Sequence, residues 1–225
     1  MPVHVVRWNG SEWVERRVAD TRDGFVFVDA PISSVPLAER VRQIPLPLPA
    51  GYETEVNLAA PQWIEALTPK LTKGFIITVD YGHARDLYYS PHRTTGTLQC
   101  YANHRVVPSP LTFPGEVDIT AHVEWTTLAE RAESCGLTIS GFADQHHFIT
   151  GLLAGGIGSE FEGAADPQSR RALHTLLHPS FLGITFQFLV LSKNVDAAVQ
   201  LAGLRFGRDP RAELGFPQPG HPKAR

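Results

Sequence analysis

Apolar and polar residues change rhythm several times along this chain, and each rhythm predicts a different element. Val3–Trp8, Trp13–Val18 and Phe25–Val28 are short β-rich runs separated by Asn9-Gly10-Ser11 and Arg22-Asp23-Gly24. Asn-Gly and Asp-Gly favour tight turns because these residues tolerate positive φ, so residues 3–29 read as a β-meander. Residues 31–51 are punctuated by proline; Pro45, Pro47 and Pro49 exclude ladder and helix there, leaving a connector with one short helical turn at 37–43. Over Glu53–Leu71, Val56, Ala60, Trp63, Ile64, Leu67 and Leu71 share one helical face, and Pro61 kinks the helix or begins a new segment. Phe75–Val79 is then continuously apolar and ends abruptly at Asp80-Tyr81-Gly82. Continuous rather than alternating apolarity predicts a strand covered on both faces, as in a parallel sheet.

The rhythm then alternates between helix and strand. Thr127-Leu128-Ala129-Glu130 fits a capping box, with Gly136 as the stop of a helix over 128–135. A strand starts at Leu137–Ile139, Gln145–Leu153 reads as a helix ending at Gly155-Gly156, and Ser169–Leu177 as another stopped by Pro179. Ile184–Leu191 is a second long β run, and residues 207–225 are rich in Pro, Gly and charge, which predicts a flexible tail. The order is that of an α/β protein. Three long strands are too few for a doubly wound domain of this length and match the second half of one. The expected layout is a β-meander and Pro-rich connector over 1–50, an α/β half-domain over 51–206, and the tail.

Composition narrows the function. Among 225 residues, 20 basic against 23 acidic side chains give a net charge of −3, so no basic footprint for nucleic acid exists. No apolar run is long enough to predict a membrane span, and the N-terminus lacks a signal-peptide layout. Cys100 and Cys135 make no disulfide framework and suit a reducing, cytoplasmic setting. Met1 is the only methionine, and a strand-like run follows at once, so the sequence reads as starting in mid-fold.

The candidate chemistry concentrates between Asp80 and Glu124. Asp80 and Tyr81 fall where an open α/β sheet presents ligands; Asp80 alternatively caps a loop by accepting backbone amides. Asp118, Thr120, His122 and Glu124 alternate with apolar residues and would share one face of an extended stretch, as a wet surface or as the wall of a site. A histidine flanked by carboxylates can act as a base or bind a cation. Arg93 and the Thr95-Gly96-Thr97 turn offer an anion contact, although no Gly-x-Gly-x-x-Gly or P-loop spacing accompanies them. His83, His92, His104 and His122 match no compact metal-ligand spacing, so no metal is expected. Gly155-Gly156-Ile157-Gly158 follows a helix and reads as its stop, and no Gly-x-Ser-x-Gly elbow supports a serine hydrolase.

Taken together, TVDYG (78–82), RTTGTL (93–98), His104, PGEVDITAHVEW (114–125), the Gln145/Phe148 helix start and LHPSFLGITFQFLVLSK (177–193) resemble the MidA-like class I S-adenosylmethionine (SAM)-dependent methyltransferases. WVERRV (13–18) resembles the early β insertion of that family, and the likeness runs to about residue 206. It implies the second half of a Rossmann-like class I methyltransferase fold with a small β-meander insertion. It also implies protein arginine methylation, a protein substrate, and SAM as cofactor. The family's glycine-rich SAM loop and the acidic residue after its second strand belong to an N-terminal half that this sequence does not contain, so no cofactor-binding residue carries over. On the substrate side the resemblance assigns Asp80, Tyr81, Asp118 and His122 to catalysis, with Arg93, Thr97, His104 and Thr120 binding substrate. A chain supplying the missing half, or self-association, is the expected partner. The alternative is a non-catalytic binding or assembly module that pairs with another chain.

Overall fold

The computed structural model describes residues 1–157 and 166–216. Contacts divide the chain into two compact units, each made of two segments: Met1–Gln62 with Asp86–His122, and Trp63–Arg85 with Val123–Arg225.

The first unit opens with the meander that the turn residues predict. β1 (His4–Trp8), β2 (Trp13–Thr21) and β3 (Gly24–Ala30) pair antiparallel, and Gly10 and Gly24 take the positive φ that their turns require. The next element corrects the sequence reading. Residues 53–56 form β4 (Glu53–Val56), antiparallel to β1, and the helix α2 begins only at Ala59, running to Leu67. Val56 fits helical spacing, but it ends the four-residue strand that closes a sheet of order β3-β2-β1-β4, a pairing invisible to local pattern. The helix α1 (Val35–Val41), capped by the Ser34 hydroxyl, drops Leu37 and Val41 onto the core. Ile44, Leu48, Tyr52, Val56, Tyr88 and Tyr89 complete that core around Val6. A small sheet of β6 (Gln99–Ala102), β7 (Arg105–Val107) and β8 (Asp118–Thr120), ordered β7-β6-β8, carries the rest of the 86–122 segment. Between β5, described next, and β6 lies the one-turn helix α3 (Arg85–Tyr88).

The second unit holds the sheet β10-β11-β5-β9, with β5 (Gly74–His83), β9 (Val123–Glu124), β10 (Thr138–Asp144) and β11 (Phe186–Lys193). Three helices accompany it: α4 (Trp125–Ser134), α5 (Gln145–Leu152) and α6 (Pro167–Leu177). The predicted parallel sheet is corrected here. β10 and β11 are antiparallel, as are β11 and β5, and only the two-residue β5–β9 pairing is parallel. A continuous apolar run does not fix strand direction, and the expected cover on both faces is also incomplete, since Ile77 and Val79 are exposed. Leu189, Val190 and Leu191 at the middle of β11 are fully buried.

One further helix start differs from expectation. α4 begins at Trp125 rather than 128, because the Glu124 carboxylate, not the Thr127 hydroxyl, accepts the amides of Thr126 and Thr127. Past α5, Gly156 at φ +102 ends the helical path, as its glycine pair predicts; Gly158 lies outside the described residues. Residues 207–216, read as tail, are ordered against this unit: α7 (Pro210–Glu213) is capped by Asp209, and Leu214 is buried with its carbonyl accepting the Thr126 hydroxyl at 2.7 Å. Residues 217–225 lie outside the described residues.

Candidate functional site

In the second unit, Asp80, Tyr81 and Gly82 lie within β5 rather than beyond it, since pairing with β11 continues to Tyr81 and pairing with β9 takes Gly82 and His83. Residues alternate along a strand, so Asp80 and Gly82 face one way, and Tyr81 and His83 the other. Asp80 is exposed, and its carboxylate accepts the Tyr81 amide at 2.8 Å. The Tyr81 ring packs edge-on against Phe186, at 5.9 Å between centroids.

Gly82 explains why TVDYG and HVEW occur together. A Cβ at this position would lie 2.2 Å from the Val123 carbonyl oxygen and 2.7 Å from Trp125 Nε1. Only glycine lets β9 and the buried Trp125 ring come that close. Just beyond, the Arg85 guanidinium donates to both oxygens of Glu130 and to the Thr127 hydroxyl, and it lies 3.8 Å from Glu124. The Arg85 amide donates to the Thr126 hydroxyl at 2.9 Å. The sequence points to Glu130 only as part of a capping box and does not point to Arg85, because a paired arginine behind the strand end leaves no local pattern.

In the first unit, the RTTGTL turn is occupied by an internal anion. Glu55, only 2% exposed, places its carboxylate against the Thr97 amide at 2.9 Å, the Thr97 hydroxyl at 2.9 Å and the Leu98 amide at 3.0 Å. The Tyr88 hydroxyl donates from 3.3 Å, and burial followed by the Glu55 charge pushes its phenol far above the usual range, so it stays a donor. Gly96, at φ +69, makes room: a Cβ there would meet Glu55 Oε1 at 2.1 Å. The expected anion contact therefore exists, and its anion is the chain's own glutamate. A buried glutamate has no signature beyond its residue type, so Glu55 was missed.

Thr97 also accepts the His122 backbone amide at 3.0 Å, which brings two of the sequence-flagged residues together. The four-residue wall is a correction. β8 stops at Thr120, so only Asp118 and Thr120 share a strand face, opposite Tyr101 and Gln99; Glu124 is the cap of α4 in the other unit. His104 stands apart from Thr97 as an exposed residue of the β6–β7 turn, at φ +60. Arg93 Nε is buried with no hydrogen-bond partner among the described residues. Cys100 is a buried free thiol whose pKa burial pushes up.

No group of three or more metal-ligating side chains occurs among the described residues, and no helix among them is long and apolar enough to cross a membrane. The chain is an α/β protein whose second unit carries an exposed carboxylate, Asp80, within β5. Comparison places it further. A family profile described as "Putative S-adenosyl-L-methionine-dependent methyltransferase" matches residues 1–143, and the chain belongs to that family. A COG1565 superfamily member from Burkholderia thailandensis, solved bound to S-adenosyl-homocysteine, superposes with a TM-score of 0.83 at 28% identity. The match covers 94% of this chain and 55% of that one. A native structure of a COG1565 superfamily protein from the same organism gives the same score and identity, covering 94% and 57%. The chain thus spans about half the length of the solved structures it matches. No curated protein gives a match.

The two glycine-bearing segments that the sequence brought forward do not fit SAM. The amides after Gly96 serve Glu55, and Gly155-Gly156 follow a helix rather than a strand.

Proposed function

We propose that this chain is the substrate-side portion of a SAM-dependent protein methyltransferase of the MidA-like group, acting on arginine. The supporting observation is its likeness, at a TM-score of 0.83, to a relative solved with S-adenosyl-homocysteine. SAM supplies an activated methyl group, and a guanidinium nitrogen must be aligned with it and relieved of a proton. Exposed Asp80 is a carboxylate suited to orient a guanidinium by paired hydrogen bonds. Arg93, a partly exposed cation, is assigned in this reading to an anionic group of the protein substrate. In this reading the chain is the second half of a Rossmann-like fold, and the cofactor loop comes from the other, SAM-binding half.

Incubation of the intact protein from its source cells with isotopically labelled SAM and arginine-containing protein tests this reading. Label on a guanidinium nitrogen, lost in Asp80→Asn, is the expected result. Label on another atom removes the arginine assignment, and no transfer at all removes the methyltransferase reading.

A further inference from the structure

Asp80 does not stand alone at its end of the sheet. Its neighbour on β11 is Gln187, and the neighbour of Gln187 on β10 is Asp144, so the three side chains form a row on one face. Gln187, whose amide group donates to the Ile184 carbonyl at 3.1 Å, separates the two carboxylates without adding charge. Two strand spacings put Asp80 and Asp144 about 10 Å apart, the reach of about three residues of extended chain.

Asp144 also lines a cavity of about 110 Å³, together with Phe142, His147, Phe206, Arg208 and Glu213. Sites for whole small molecules run from roughly 300 Å³ upward, so this one takes a single side-chain head. Its chemistry is that of a cation site. Phe142 and Phe206 supply aromatic rings, and the Arg205 guanidinium already lies over the Phe206 ring at 5.9 Å from its centroid. Asp144 and Glu213 supply negative charge. The His147 amide at 2.8 Å and His147 Nδ1 at 2.7 Å both bond to Asp144 Oδ1, which leaves Oδ2 without a partner among the described residues. In its neutral form His147 donates from Nδ1 to that carboxylate and keeps Nε2 as a further acceptor. Arg208 competes for Glu213, but its contact is long, at 3.4 Å, and its side chain is 75% exposed, so it is loosely held. No three metal-ligating side chains among the described residues converge closely enough to hold an ion, so these acceptors are spaced for an organic cation.

We propose that this cavity takes a second basic side chain of the substrate protein, arginine or lysine, about three residues along an extended chain from the arginine held at Asp80. The preferred target is then Arg-x-x-Arg or Arg-x-x-Lys, read in either chain direction. The inference rests on the reading of the chain as part of an arginine methyltransferase with Asp80 at the reacting guanidinium.

Fluorescence polarisation of two peptides of equal charge on the intact protein tests it, one carrying Arg-Ala-Ala-Arg and the other Arg-Arg-Ala-Ala. The spaced peptide is expected to bind at least about tenfold more tightly, as a desolvated cation with a carboxylate and aromatic partner does. The double variant Asp144→Asn/Glu213→Gln is expected to remove that difference, since asparagine still caps α5 while the charge is gone. Phe206→Ala, at a ring 45% exposed, is expected to reduce the same difference and gives the same reading should the double variant not fold. Equal binding of the two peptides, a difference that survives these variants, or binding of neither overturns the proposal. Labelled methyl transfer on the same peptides separates the two readings. Label on arginine without regard to spacing removes this site and keeps the methyltransferase; spacing-dependent binding without any label keeps the site and removes the methyltransferase.

Discussion

The Glu55 nest and the strand β5 looked alike in the sequence, as polar groups gathered beside a glycine, and the structure treats them in opposite ways. In the nest, a buried carboxylate takes up the amides and hydroxyl that the Thr95-Gly96-Thr97 turn offers. In β5, Asp80 stays exposed and half of the apolar run lacks cover. A motif can be specific because the fold needs it or because a ligand does. What separates the cases is whether the chain itself satisfies the polar groups.

The largest expected effect comes where β5 is closed. Gly82→Ala pushes a methyl into the Val123 carbonyl and Trp125, neither of which can retreat, and should cost about 3 kcal/mol in denaturant unfolding. A loss under about 1 kcal/mol would show that β9 is loosely held. Next, Glu55→Gln turns an NH2 toward the Thr97 and Leu98 amides and should cost about 2–3 kcal/mol. An unchanged midpoint would mean that the nest does not hold the turn. Thr97→Val removes the hydroxyl that links Glu55 to the His122 amide and should cost about 1–2 kcal/mol, with His122 amide exchange accelerated.

Glu15 gives a smaller, pH-dependent effect in the same unit. Burial pushes its pKa up, but hydrogen bonds from Ser33 and the contact with His4 outweigh this and hold it below the usual carboxylate value. A folded-state pKa below the unfolded one contributes stability that is present above the unfolded value and lost as pH falls through the folded one. Glu15→Gln should therefore flatten the acid limb of the stability profile and leave its slope near neutrality alone. The smallest effect belongs to β5's open side: Ile77→Lys/Val79→Lys should change the stability of the isolated chain by no more than about 0.5 kcal/mol. A larger loss would mean that this side is already covered.

The legible parts of the fold were those fixed by local chemistry. Asn9-Gly10 and Asp23-Gly24 located the meander, and the apolar runs located β5 and β11. What escaped depended on partners distant in sequence. Glu53–Val56 became a strand because β1 lies beside it, and Thr127 lost the cap of α4 to Glu124. The 86–122 segment returns to the first unit, although its motifs read as continuing from β5. Of the candidate residues, Thr97 and His122 are joined, Asp80 and Tyr81 point to opposite faces, and Glu55 and Arg85 left no local trace. Leu214 was read as tail because proline and charge surround it, yet one buried leucine and one carbonyl tie that segment down.

Residue-resolved amide hydrogen exchange on the isolated chain tests the contrast between the two regions most directly. The Thr97 and Leu98 amides should be protected, and alternate amides of Phe75–Asp80, those pointing away from β11, should exchange quickly. Uniform protection along Phe75–Asp80 would contradict an open edge, and fast exchange at Thr97 and Leu98 would contradict a closed nest.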